Sequence, residues 1–98
     1  MSLGKVGERI AQKLKAAFSP RQLEVVDESH KHAGHAGSRP GGETHFQVRI
    51  VAEAFQGKSL LDRHRLVNEA LAQELTGPVH ALSIMALSIS EAEREPGR

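Results

Sequence analysis

Leu3, Val6, Ile10, Leu14 and Ala17 recur at three- and four-residue spacing, which places them on one face of a helix. Lys5, Arg9, Lys13 and Lys15 decorate its polar side. Ser19-Pro20 ends it, because proline disfavours helical geometry in the residue before it. Residues 23–29 (LEVVDES) are short and rich in branched apolar side chains, the pattern of a strand. Residues 44–52 alternate, with Phe46, Val48, Ile50 and Ala52 on one face and His45, Gln47, Arg49 and Val51 on the other. From 59 to 75 the period is helical again. Leu60, His64, Val67, Leu71 and Leu75 form one stripe, and Gly77-Pro78 stops it. Residues 79–87 (VHALSIMAL), apolar on both faces in places, predict a third and most buried strand. Ser90 and Glu93 have the spacing of a capping box for a last helical turn.

The order helix, strand, strand, helix, strand, short helix predicts an α/β (α+β) sandwich, with helices on one face of a three-stranded mixed sheet. Strands one and two form an antiparallel hairpin. Strand three follows a helical crossover and runs parallel to a neighbour, for which strand one is favoured. Between the first two strands lies HKHAGHAGSRPGG, with four glycines, a proline and three histidines. It exceeds the roughly two to five residues of an ordinary hairpin loop, which points to function or disorder. The expectation is one domain over residues 1–98, with a flexible loop at 30–43 and a frayed tail at 91–98.

Composition narrows the chemistry. The 98 residues include no cysteine, tryptophan or tyrosine, but six histidines. Without cysteine there is no thiolate nucleophile, zinc ribbon or self-sufficient cysteine-ligated iron–sulfur site. Thirteen basic and twelve acidic side chains give a net charge of +1, so bulk charge demands neither nucleic acid nor membrane. Residues 1–40 nevertheless carry seven basic and four acidic groups, enough for a local patch. No apolar run approaches the roughly 20 residues of a membrane helix, and MSLGKVGERI lacks the apolar core of a signal peptide. A cytoplasmic protein is expected, monomeric or weakly dimeric when alone.

The sharpest local feature is His30-x-His32-x-x-His35, because neutral imidazole ligates zinc, copper, iron and nickel. Solvated loop residues would read the same way. His80, early in the third strand, shares a face with Leu82 and Ile84; it is either a partly buried histidine or a ligand facing the loop. Arg63-His64-Arg65 suggests phosphate contact, with His64 on the apolar stripe and the arginines either free or paired with Asp62 or Glu69. His45 points away from Phe46. No serine–histidine–carboxylate set and no P-loop spacing is present, so an enzyme is not expected.

Four segments in order, LEVVDESHKHAG, ETHFQVRIV, AFQGKSLLDRHRLVNEAL and GPVHALSI, resemble the BolA family over about Val6 to Ile89. The resemblance implies a fold similar to type II KH domains without their GxxG loop. It also implies two functions. One is pairing with a monothiol (CGFS-type) glutaredoxin to share a [2Fe–2S] cluster with glutathione, in iron–sulfur trafficking or iron sensing. No cluster is expected in the isolated chain. The other is binding of double-stranded DNA by a transcription regulator through the region of Arg63 and Arg65. For the cluster, the family pattern carries over to His80 as the strand ligand and to His32 as the loop ligand, with His30 and His35 as substitutes.

Overall fold

The computed structural model describes residues 4–29 and 43–95. The elements are α1 (Lys5–Phe18), β1 (Gln22–Asp27), β2 (His45–Val51), a 3₁₀ turn (Glu53–Phe55), α2 (Leu60–Ala70), α3 (Ala72–Thr76), β3 (Ala81–Leu87) and α4 (Ile89–Glu93). This is the expected mixed α+β fold with a three-stranded mixed sheet.

α1 buries Val6, Ile10 and Leu14 of the predicted stripe, while Ala17, in its last turn, is exposed and Leu3 lies outside the described residues. Its first turn is capped from a distance. The Glu43 Oε1 accepts from Val6 N at 2.7 Å and from Gly7 N at 3.4 Å, placing negative charge at the positive end of the helix. Gly4 makes room for that carboxylate, since a Cβ there would lie 2.3 Å from the same oxygen. The helix closes at Ser19, whose left-handed backbone (φ 46°, ψ 55°) lets its N–H reach Lys15 O.

β1 and β2 pair antiparallel, as expected, with Leu23 opposite Ile50 and Val25 opposite Val48. The third strand corrects the expected topology. The order is β1-β2-β3, and β3 runs parallel to β2, not β1, with Phe46 beside Leu82 and Val48 beside Ile84. Burial explains why. Every β2 residue except Gln47 is buried, as a central strand requires, whereas β1 alternates between exposed and half-buried. β3 alternates too, with only Ala86 fully buried, so it is an edge strand and not the most buried one.

The core lies between the sheet and the helices. Phe46, Val48 and Ile50 meet Ile10 and Leu14 from α1, Val67 and Leu71 from the second helical region, and Phe55 from the 3₁₀ turn. The rings of Phe55 and Phe18 lie 5.2 Å apart and tilted, a favourable aromatic geometry.

The second helical region is rotated from its predicted stripe. Val67 and Leu71 are buried as expected, but Leu60 is 67% exposed and His64 half-buried; Arg63 takes the inward position. The helix also divides at Leu71 (φ −108°, ψ 20°). At its start the Ser59 hydroxyl caps Asp62 N. The capping box is built on Ser88 and Glu91, not on Ser90 and Glu93. β3 ends at Leu87, so Ser88 is the extended residue (φ −74°, ψ 164°) that precedes the helix. Its hydroxyl accepts from Glu91 N at 3.2 Å, and its own N–H donates to Glu91 Oε1 at 2.8 Å. Among the described residues no helix is long and apolar enough to cross a membrane.

Candidate functional site

β2 begins where the histidine-rich segment ends, and its parallel pairing brings the head of β3 to the same place. The Thr44 carbonyl accepts from His80 N at 2.7 Å and from Ala81 N at 3.1 Å. His45 pairs in register with Ala81. The imidazoles of His45 and His80 are therefore neighbours, with ring centroids 5.2 Å apart and planes tilted by 53°. His80 is exposed, while His45 is buried.

Below this pair lies a polar clasp. Asp27 Oδ1 accepts from Ser29 N at 2.9 Å and from Ser29 Oγ at 2.5 Å, an aspartate turning the chain onto its own backbone two residues on. Asp27 Oδ2 accepts from Glu43 N at 3.0 Å. The Ser29 hydroxyl oxygen accepts from Thr44 N at 2.9 Å, His45 N at 3.2 Å and Thr44 Oγ1 at 3.3 Å. The Thr44 hydroxyl is 2.9 Å from His45 Nδ1. Ser29 and Thr44 are themselves buried, so these bonds satisfy groups that water does not reach. Residues on both sides of the 30–42 segment are thus tied together directly beneath His80.

Of the predicted ligands, His80 stands exposed at the head of β3. His30, His32 and His35 lie outside the described residues. Among the described residues, no group of three or more histidine, aspartate or glutamate side chains is arranged to hold a metal ion. The donor chemistry nevertheless fits a shared cluster. The chain offers imidazole and no thiol, so every thiolate of such a cluster would have to come from outside it.

The predicted nucleic-acid residues separate. Arg65 is exposed, 3.8 Å from Asp62, one of the pairings expected for it. Arg63 is corrected, for it does not reach solvent. Its side chain is 7% exposed, and its guanidinium donates to Lys58 O at 3.0 Å, Ala86 O at 2.9 Å and Glu91 Oε1 at 2.6 Å. It fastens α2 to β3 and α4. The Arg63 hydrogen bond, then the Ser88 N–H, hold the Glu91 carboxyl at about 2, well below its ordinary 4.5.

Periodicity missed the His45–His80 pair. His45 was visible as the outward residue before Phe46. Only the parallel register of β2 and β3 makes it a neighbour of His80.

The family model described as BolA-like protein matches residues 14–91 of this chain. The chain belongs to the BolA family. It is 50% identical over 95 residues to SufE-like protein 1, chloroplastic/mitochondrial, of Arabidopsis thaliana, covering 93% of this chain and 26% of that protein. It is 50% identical over 93 residues to BolA-like protein 1 of Mus musculus, covering 95% of this chain and 65% of that protein. With the DNA-binding transcriptional regulator BolA of Escherichia coli it shares 48% identity over 88 residues, covering 90% of this chain and 80% of that one. The chain therefore spans less than two thirds of the Arabidopsis and mouse relatives. Among solved structures, the BolA domain of SufE1 from Arabidopsis thaliana superposes with a TM-score of 0.83 at 51% identity, covering 92% of this chain and 99% of that one. The solution structure of BolA1 from Mus musculus gives a TM-score of 0.82 at 42% identity, covering all of this chain and 76% of that one.

Proposed function

We propose that this protein is an adaptor that partners a monothiol glutaredoxin, and that the pair shares a [2Fe–2S] cluster in iron–sulfur trafficking or iron sensing. One observation carries the reading. His80 is an exposed imidazole whose backbone is anchored by Thr44, at the root of the histidine-rich segment. His32 is three residues from Ser29, a chain length of at most roughly 10 Å. His32 is the proposed second ligand, with His30 and His35 as substitutes. The partner's cysteine and a glutathione thiol would complete the set. Imidazoles on one iron raise the potential of such a cluster, as in Rieske centres.

The test is to mix the protein with a cluster-loaded monothiol glutaredoxin and glutathione under anaerobic conditions. The visible absorption and circular dichroism should change, and His80→Ala should abolish the change. Wild-type mixtures with an unaltered spectrum would refute the adaptor reading.

A second reading, binding of duplex DNA, is favoured by the name of the Escherichia coli relative and by exposed Arg65. With Arg63 buried, the contact would draw on Arg65 and on the exposed Lys5, Arg9 and Lys15 of α1. Affinity should then fall steeply with salt, and Arg65→Gln should lower the salt slope by about one. A slope indifferent to Arg65 excludes it as a phosphate contact.

A further inference from the structure

We propose that His45 is a positioning residue for His80, set in one orientation by a relay of hydroxyls that ends on Asp27. The inference rests on the adaptor reading above for its consequence, but its geometry stands on the apo protein.

The relay is a continuous chain of short polar contacts from Asp27 to His45. The Ser29 hydroxyl has one hydrogen, and the Asp27 carboxylate at 2.5 Å takes it. Ser29 Oγ is then an acceptor for its other partners, including the Thr44 hydroxyl at 3.3 Å. The single Thr44 hydrogen is shared between that contact and His45 Nδ1, which is closer, at 2.9 Å. With either sharing, the Thr44 Oγ1–His45 Nδ1 bond fixes the plane of the His45 ring. Burial of His45 and Thr44 holds this arrangement away from competing water.

The His80 ring packs against this immobilised ring at 5.2 Å, while the His80 backbone is bound to the Thr44 carbonyl. Thr44 thus holds the ligand twice, by main chain directly and by side chain through His45. An exposed histidine otherwise samples several rotamers, and ordering it on ligation opposes binding. A ring held in advance lowers that opposition, as do the partners that orient metal-ligating histidines elsewhere.

The experiment compares Thr44→Val, which keeps the shape and removes the hydroxyl, with Thr44→Ser, which restores it, and with His80→Ala as reference. Two readouts are taken on the full chain. The first is retention of the cluster by the glutaredoxin pair, from visible circular dichroism during chelator titration. The second is the set of imidazole ¹⁵N and ¹³C signals of His45 and His80 in the cluster-free protein. Thr44→Val should weaken retention about ten-fold and shift both sets of ring signals, with backbone amides outside the clasp unmoved; Thr44→Ser should recover wild-type behaviour. Wild-type retention in Thr44→Val, where His80→Ala loses the cluster, would overturn the positioning role and leave the adaptor reading intact. If the wild-type pair never takes up a cluster, the adaptor reading falls. The ring signals then decide alone, and unmoved His80 signals in Thr44→Val would overturn the inference.

Discussion

Replacing Glu91 by glutamine takes one charge out of the joint that fastens α4 while leaving an oxygen to complete the capping box. Arg63 would keep the carbonyls of Lys58 and Ala86 but lose its ion pair at 2.6 Å. The carboxyl is held at about 2 against an ordinary 4.5, which sets a ceiling of about 3 kcal/mol at 1.36 kcal/mol for each tenfold change in proton affinity. Glu91 is 36% exposed, so solvent screens much of this. The expected loss is about 1–2 kcal/mol, or roughly 5–10 °C in Tm for a domain of this size. Because the folded carboxyl is the stronger acid, its contribution is complete above about pH 5 and is lost as pH falls through the interval from about 4.5 to about 2. The gap between wild type and Glu91→Gln should close over that interval. With no tryptophan or tyrosine to report on packing, the melts are followed by far-UV circular dichroism. A gap that persists unchanged near pH 2, or that is absent at neutral pH, would refute the charge-pair account.

Two further perturbations test the fold. Phe55 is fully buried against Phe18, so Phe55→Ala should cost about 3–5 kcal/mol, read from chemical denaturation. Gly4→Ala would drive the Glu43 carboxylate off the first turn of α1, and Glu43→Ala would remove it. Each should cost about 1 kcal/mol, and the double variant should cost little more than either alone, because both break one cap. Additive losses would mean that the two residues act separately.

The helices and strands were legible because their apolar periods are regular: Val6, Ile10 and Leu14 fall at helical spacing, and Phe46, Val48 and Ile50 at strand spacing. The strand order was not. VHALSIMAL looks continuous enough for a central strand, yet it lies at an edge, and the true centre is marked by polar residues buried on the outer face. Arg49 is one of them; it is 9% exposed, paired with Glu95 and bonded to Gln22 at 2.8 Å. A pattern that scores arginine as polar and outward cannot see this. Arg63 misleads in the same way, since a guanidinium can turn inward wherever carbonyls and a carboxylate await it. The strand order in turn decides which histidines are neighbours. With β3 expected beside β1, His45 has no reason to meet His80, so the pattern gives the two histidines no common place. His80 and the histidine segment were legible through family resemblance more than through spacing.

The clasp of Asp27, Ser29, Glu43 and Thr44 has a consequence for how such a protein can be altered. It joins the two margins of the 30–42 segment by hydrogen bonds made wholly outside that segment. Once the margins are pinned, doubling the length of what lies between them adds only about 0.6 kcal/mol of closure entropy. Changes in the length of the span therefore carry a small closure cost for the sheet on which its two margins are pinned.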